Sequence, residues 1–376
     1  MSSLTDPVLL LAFAAAAGAS LAMSWVLVSR LERVGARLGL SEALLGMVAA
    51  LAADAPEITA AVTALAGHQA RIGAGVVIGS NVFNLAALLG LSALLAGRIA
   101  LHRRVVVLEG AVALWIATIC VVVVVGALPA AAGLGLVLAL LVPYLVVLGV
   151  RHDRLARLGL PDAVARWMAG AIVEEEQELE PAIHPRPGGA RDAAVAAAAV
   201  LAVVAASVAM ESSAATLGAR YGLAQIVVGG LVVAIVTSLP NVVAAVYLSQ
   251  RGRGAATLST AMNSNALNVA AGLLVPGTIV GLGEPSSSAT FVAVWYLALT
   301  ALALGCAYSG SGIRRPEAVL IIAAYLTFVA LVVTGAESSS GGALLGTAVP
   351  IAVAAGLAAR LLRRPAPRAR TRRPPA

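Results

Sequence analysis

Carboxylate, amide and hydroxyl side chains interrupt two long apolar runs of this sequence. The first run contains Ala53–Glu57 (ADAPE), and the second contains Thr237–Asn241 (TSLPN). If the first segment is helical, Asp54 and Glu57 face the same way, because residues three positions apart lie within one turn of each other. Hard cations such as Ca²⁺ and Na⁺ bind carboxylate, carbonyl and hydroxyl oxygens. These segments therefore predict cation coordination in an apolar environment.

Each of these segments is followed by a second polar segment at a matching distance. Gly79–Asn84 (GSNVFN) follows the first, and Asn263–Asn268 (NSNALN) follows the second. An offset of 184 residues relates Pro56 to Pro240, and the same offset relates the two asparagine-containing segments. A register that stays constant over roughly 30 residues indicates an internal repeat.

Together these segments define a candidate cation site. A proline removes one backbone donor, so Pro56 and Pro240 are expected to release the carbonyls of Ala52 and Val236 toward an ion. Two adjacent carboxylates repel each other when both are charged, so the pair is expected to exchange a bound proton for an arriving cation. The predicted metal ligands are Glu57, Asp54, Asn84, Ser80, Asn241, Thr237, Ser238, Ser264 and Asn268.

Composition shows which elements must position these residues. The chain has 376 residues, of which 60% are hydrophobic and 11% are charged, whereas soluble domains carry about 25% charged residues. Apolar runs of about 20 residues predict transmembrane helices rather than the short alternating strands of a barrel. Aromatic residues are nearly absent from the basic segments, which argues against nucleic-acid binding. The predicted fold class is an all-α polytopic membrane protein.

Eleven apolar runs are candidate membrane spans. Arg-rich loops stay on the cytoplasmic side, and every second loop is Arg-rich, so the N-terminus is predicted outside and the C-terminus inside. The predicted spans are residues 8–29, 40–66, 72–97, 105–126, 129–150, 192–217, 222–249, 254–279, 289–309, 316–334 and 342–362.

The spans and loops divide the chain into two membrane halves. The loop between them contains an acidic run, Glu174–Glu180, which we expect to be solvated linker, with a regulatory cation site as the alternative. The predicted boundaries are 1–150 for the N-terminal half with a repeat core at 39–97, 151–191 for a cytoplasmic loop, 192–340 for the C-terminal half with a repeat core at 222–279, 341–362 for an extra transmembrane helix and 363–376 for a basic disordered tail.

The predicted topology places the two repeats in opposite orientations, because five spans separate the paired segments. An inverted pair of proline-interrupted helices is typical of secondary transporters, whose site lies near the membrane midplane between the repeats. Charged groups in hydrocarbon are costly, which favours a functional role for Asp54 and Glu57. By contrast, Glu109 and Glu211 lie near predicted span ends, where snorkelling or capping is expected.

The motifs resemble those of the sodium/calcium exchanger family of the cation/Ca²⁺ antiporter superfamily. That family carries a G-T-S-L-P-E type signature on one helix of its repeats and G-S-N-x-x-N or G-S-N-x-x-D on the next. Val236–Asn241 is similar to the first signature, and Gly79–Asn84 is similar to the second. The resemblance implies ten core helices in two inverted halves, alternating access to a central site, and ion ligands at the nine positions named above.

The chain departs from the family pattern at three positions. Asn241 stands where the second repeat usually has Glu, Ala53 replaces a Thr, and Asp54 occupies a Ser position. Both central carboxylates, Asp54 and Glu57, therefore come from the first repeat.

These observations lead to the hypothesis of a secondary active cation antiporter, not an enzyme, in a bacterial-type inner membrane. We expect it to exchange Ca²⁺ against Na⁺ or H⁺, with inorganic cations and the lipid bilayer as its partners. No cofactor is expected beyond the transported cations. Two alternatives stay open: a Na⁺/H⁺ exchanger, and a membrane paralogue that keeps the fold without transport.

Overall fold

The computed structural model of the chain describes residues 4–38, 50–149, 187–310 and 312–335. The first part of the predicted span at 40–66 and most of the predicted loop at 151–191, with its acidic run, lie outside these residues. The predicted extra helix at 341–362 and the basic tail also lie outside them.

Helices dominate the described residues. Residues 50–53 form the end of a helix that precedes α2, and short π-helical stretches lie within α3, within α7 and between α9 and α10. The helices and strands are α1 (Asp6–Arg37), α2 (Ala55–Ala66), α3 (Ala70–Ala96), β1 (Arg98–Ala100), α4 (Arg103–Val124), α5 (Ala130–Gly149), α6 (Ala190–Arg220), α7 (Gln225–Thr237), α8 (Leu239–Gln250), α9 (Gly254–Leu267), α10 (Val275–Val280), α11 (Ser287–Ser309), β2 (Gly312–Arg314) and α12 (Arg315–Val333).

Six helices of the described chain are long and apolar enough to cross a membrane, namely α1, α3, α4, α6, α11 and α12. The pair α7 and α8 passes the same test as one span bent by 48°. This confirms the prediction of a polytopic all-helical membrane protein. Six or seven spans of the described chain, rather than eleven, are long and apolar enough to cross a membrane, partly because α2 and the Ala130–Val146 part of α5 are shorter apolar helices and α9 carries many polar residues.

The two halves of the chain repeat one order of helices. Helices α1 and α6 begin at residues 6 and 190, and α2 and α8 cover residues 55–66 and 239–250. Helices α4 and α11 begin at residues 103 and 287, and α5 and α12 end at 149 and 333. Each pair differs by the offset of 184 read from the polar segments. The internal repeat predicted from the sequence therefore extends over both halves.

In each repeat, the helix is interrupted within the polar segment that contains the proline. Asp54 and Ser238 lie outside regular helix, and the prolines that follow occupy the first turn of α2 and α8. A proline is tolerated there because the first turn of a helix has no partner for its backbone donor. The Ala52 carbonyl, which was expected to be released toward an ion, accepts a hydrogen bond from Ser24 Oγ at 2.9 Å.

Glycines let α3 pack against the backbone of α7. A Cβ added at Gly79 would lie 2.3 Å from the Gly230 carbonyl oxygen, which no side chain could tolerate. This contact holds the polar residues that follow Gly79 close to the second repeat. A short antiparallel pair, β1 with β2, joins Arg98 to Arg314 and was not predicted from the sequence.

Candidate cation site

The predicted ligands lie at the centre of the molecule. All nine are buried, and each is at most 1% exposed. Helix α2 and the break before it supply Asp54 and Glu57, and the break before α8 supplies Ser238. Side chains of α3 and α9 complete the group from both repeats.

Asp54 is held by donors from the second repeat. Its Oδ1 accepts hydrogen bonds from Asn241 Nδ2 at 2.6 Å and from Ser264 Oγ at 2.7 Å. Its Oδ2 is buried and has no hydrogen-bond partner among the described residues. One oxygen of this carboxylate is therefore fixed, and the other is free to bind a cation.

Glu57 is also held by donors from the second repeat. Its Oε1 accepts a hydrogen bond from Ser238 Oγ at 2.5 Å, and its Oε2 accepts one from Asn268 Nδ2. Such donors replace part of the hydration that a carboxylate loses on burial. Asn268 Nδ2 also lies 3.5 Å from Ser80 Oγ, which brings Ser80 into the same network.

The bonds to the two carboxylates cross between equivalent positions of the repeats. By the offset of 184, Ser238 corresponds to Asp54, and Asn241 corresponds to Glu57. Ser238 bonds to Glu57, whereas Asn241 bonds to Asp54. The pattern is what a pseudo-twofold axis through the site produces.

Four asparagines join α3 to α9 and its π-helical continuation around the same axis. Asn81 Nδ2 donates to the Asn265 carbonyl at 3.0 Å, and Asn265 Nδ2 donates to the Asn81 carbonyl at 3.2 Å. Asn84 Nδ2 donates to Asn265 Oδ1, and Asn268 Nδ2 donates to Asn81 Oδ1, at 3.0 and 3.2 Å. Asn81 and Asn265 were not among the predicted ligands. Their matched positions in the two repeats were the available signal.

The polar side-chain atoms left without a hydrogen-bond partner at this site are all oxygens. Among the described residues, they are Asp54 Oδ2, Asn84 Oδ1 and Asn268 Oδ1. Buried polar groups are normally paired, so unpaired ones require a reason. Carboxylate and amide oxygens are the ligands that hard cations such as Ca²⁺ prefer. The three unpaired oxygens therefore fit the coordination of a cation.

Not every predicted ligand joins this network. Thr237 is buried, but its hydroxyl donates to the carbonyls of Val233 and Ala234 in its own helix, at 3.0 and 3.1 Å. The expectation for Glu109 and Glu211 was wrong, because both are buried, at 1% and 3% exposure, rather than snorkelling. Hydropathy placed them near span ends but did not show which helices cover them.

The site has few charges. Within the part of the chain that the structure describes, no group of three or more His, Cys, Asp or Glu side chains could hold a metal ion. A cation between Asp54 and Glu57 would therefore depend on hydroxyl and amide oxygens for the rest of its coordination shell.

Three solved structures share this fold. The H⁺/Ca²⁺ exchanger CAX superposes with a TM-score of 0.71 at 12% identity, covering 94% of this chain and 88% of that chain. The structure of YfkE superposes with a TM-score of 0.58 at 15% identity, covering 86% of this chain and 92% of that chain. The sodium-calcium exchanger NCX_Mj, soaked with 10 mM Na⁺ and zero Ca²⁺, superposes with a TM-score of 0.56 at 19% identity, covering 87% of this chain and 99% of that chain. At these identities the likeness shows a common fold.

Sequence comparison assigns the family. No curated protein sequence is significantly similar to the chain. The profile of the family described as sodium/calcium exchanger protein matches residues 8–151 and 192–334, which include both repeats and more than half of the chain. The chain therefore belongs to the sodium/calcium exchanger protein family.

Proposed function

We propose that the chain is a secondary active antiporter that exchanges Ca²⁺ for H⁺ or Na⁺ at the site between its repeats. The observation that carries the proposal is the fully buried pair Asp54 and Glu57, which is bonded only to hydroxyl and amide donors in the hydrogen bonds described above. The side-chain atoms of the site that lack a hydrogen-bond partner among the described residues, Asp54 Oδ2, Asn84 Oδ1 and Asn268 Oδ1, are oxygens. Membership of the exchanger family and the shared fold support this reading.

The number of charges favours an electroneutral cycle. Two carboxylates neutralise either one Ca²⁺ or two monovalent cations. A buried site that alternates between these loads avoids carrying net charge through hydrocarbon, where a central charge costs several kcal/mol. Asp54 and Glu57 are the primary ligands in this scheme. Hydroxyl and amide groups of Ser80, Asn84 and Asn268 complete the shell.

Loading the site requires its donors to rearrange. Asn241 and Asn268 present their amide nitrogens to the carboxylates. To coordinate a cation, an amide must present its oxygen instead, because the N–H group cannot act as a ligand. Both asparagines sit in the second repeat, whereas the carboxylates sit in the first. We therefore expect cation binding to change how the two repeats contact each other.

Na⁺/H⁺ exchange is the second candidate. The observation that favours it is the absence, within the described residues, of a third acidic, His or Cys group that could share a metal ion with Asp54 and Glu57. High-affinity Ca²⁺ sites usually have more carboxylates than two. A monovalent cation needs only one charge, which this site supplies.

Ion flux in proteoliposomes tests the proposal. We would measure ⁴⁵Ca²⁺ uptake under an imposed Na⁺ gradient and, separately, under an imposed pH gradient, with Glu57→Gln as the inactive control. Uptake that needs one gradient and is lost in the variant supports Ca²⁺ antiport and names the counter-ion. No Ca²⁺ uptake, with Na⁺ uptake driven by a pH gradient, supports the second candidate. No flux of either ion in vesicles that hold folded protein would refute both.

A further inference from the structure

Another buried carboxylate, Glu211 of α6, lies outside the central site. Its side chain is buried, and its Oε1 has no hydrogen-bond partner among the described residues. Its Oε2 has a weak contact with Ser212 Oγ, at 3.5 Å. A buried carboxylate with so little support is costly unless something compensates its charge. Either a proton or a bound cation must therefore compensate the charge of Glu211.

Buried hydroxyl groups connect Glu211 to the central site. Ser207 lies one helical turn from Glu211, and its Oγ is 2.9 Å from Ser20 Oγ of α1. One turn further along α1, Ser24 Oγ donates to the carbonyls of Ala52 and Ala53, at 2.9 and 3.4 Å. These carbonyls directly precede Asp54. The line of hydroxyls thus runs between α1 and α6 from Glu211 to the backbone of the central site.

The other end of this line reaches a cavity. A cavity of about 680 Å³ is lined by Ser212 and Thr216 of α6, together with Gln69 of the loop before α3 and Gln225 at the start of α7. Ser212 is the residue that contacts Glu211. Glu211 itself does not line the cavity, but its neighbour in α6, Ser212, does, which brings the carboxylate next to the cavity wall.

The corresponding path in the other half of the molecule is apolar. By the offset of 184, Leu27 occupies the position of Glu211, and Met23 that of Ser207. Val204 and Val208 occupy the positions of Ser20 and Ser24. Leu27 packs in an apolar cluster with Ala52, Ala196 and Ala199. A structural need of the α1–α6 pair would apply to both halves, so the polar line in one half indicates a function specific to that side.

We propose that Glu211 is a second cation-binding site, where a partly hydrated cation stops between the cavity and the Asp54–Glu57 pair. This inference rests on the proposed function, since the cation is of the class exchanged at the central site. The ligands are Glu211 Oε1, nearby hydroxyl oxygens and the water that the cation retains. Ser207, Ser20 and Ser24 then offer successive oxygens as the cation sheds that water.

Transport measured from each face of the membrane tests the site. Glu211→Gln keeps the shape of the side chain and removes its charge. We expect it to raise the apparent KM for Ca²⁺ by about tenfold from the face on which the cavity lies, and by less than about twofold from the opposite face. Right-side-out and inside-out membrane vesicles supply the two faces. An unchanged KM, or an equal rise from both faces, would overturn the proposal.

A matched control separates a site from general surface attraction. Glu284 is exposed and lines a neighbouring cavity at the same end of the molecule. Glu284→Gln removes the same charge there without touching the line of hydroxyls, so its KM should match that of the wild type. If both variants raise KM equally, the effect is a surface potential, and the assignment to Glu211 fails.

Equilibrium binding to the purified full-length protein tests Glu211 without transport. With ⁴⁵Ca²⁺ as the probe, the double variant Asp54→Asn with Glu57→Gln should retain one weak binding site. Adding Glu211→Gln should abolish it. Residual binding that persists in the triple variant, or no residual binding in the double variant, would refute the inference. Because this readout needs no flux, it can succeed even if the wild type proves to transport no Ca²⁺.

Discussion

Replacing Asp54 by Asn tests whether cation binding at the central site requires both of its negative charges. The substitution keeps the size of the side chain and removes one of two negative charges. Asp54 Oδ1 is fixed by Asn241 and Ser264, at 2.6 and 2.7 Å, so the new side chain should stay in place. The perturbation is therefore almost purely electrostatic.

The substitution should greatly weaken the binding of a divalent cation. Two unit charges about 4 Å apart interact by about 4 kcal/mol at an effective dielectric constant of about 20, and Ca²⁺ doubles this. If the amide oxygen of the new Asn recovers half of this interaction energy, about 4 kcal/mol of the Ca²⁺ binding energy is still lost. Since about 1.4 kcal/mol corresponds to a factor of ten, Ca²⁺ affinity should fall by about a thousandfold. A monovalent cation would still find one full charge on Glu57.

Paired flux assays distinguish these outcomes. We expect Asp54→Asn to abolish ⁴⁵Ca²⁺ uptake in proteoliposomes, while ²²Na⁺ uptake survives if the protein is a Na⁺/H⁺ exchanger. Ser92→Ala is the matched control, because Ser92 is buried in the same membrane core and, within the described part of the chain, its hydroxyl donates only to the Ala87 carbonyl of its own helix, at 3.4 Å. Both variants should first show wild-type melting temperatures in detergent.

Ca²⁺ uptake by Asp54→Asn at the wild-type KM would refute the reasoning. It would mean that Asp54 carries no charge that the cation needs, or that the cation binds elsewhere. Loss of uptake in the Ser92→Ala control would instead show that the assay reports on packing.

Three further variants test the repeats and their surroundings. Asn241→Asp adds a third carboxylate to the site; repulsion should lower its melting temperature relative to the wild type without Ca²⁺, and added Ca²⁺ should raise it more than in the wild type. Gly79→Ala should lower the melting temperature and the flux, because its Cβ would clash with backbone, whereas Gly18→Ala meets nothing within 4 Å and should not. Tyr144→Phe removes a 2.7 Å bond to the buried Glu109 and should cost about 1–3 kcal/mol of stability, measured by denaturant titration.

Much of the fold could be predicted from the sequence, because apolar runs and a repeat are both visible in one chain. The span predicted at 105–126 corresponds to α4 at Arg103–Val124, and the span at 289–309 corresponds to α11 at Ser287–Ser309. The offset read from the prolines is also the offset between the helices. Length and hydropathy determine these features, and neither requires knowledge of tertiary contacts.

Contacts between the halves could not be predicted in the same way. Glu57 bonds to Ser238, which lies 181 residues away, and only the packing of α2 against the second repeat brings them together. The sequence also did not show that the Thr237 hydroxyl donates to the carbonyl one turn earlier in its own helix. Its use as a ligand, like that of the other predicted residues, stays a prediction.

The scaffold is nearly symmetric, whereas its chemistry is not. Helices α2 and α8 have matching bounds, yet both central carboxylates lie on the first repeat and their donors come from the second. The α1–α6 interface is polar beside Glu211 and apolar beside Leu27. An exchanger with identical halves would present the same route to both sides of the membrane. Among the described residues of this chain, Glu211 and the hydroxyls beside it have no polar counterpart at the matching positions of the other half. If the proposal for Glu211 holds, a difference between the two faces in apparent cation affinity should originate in the route to the site, while the site itself is shared.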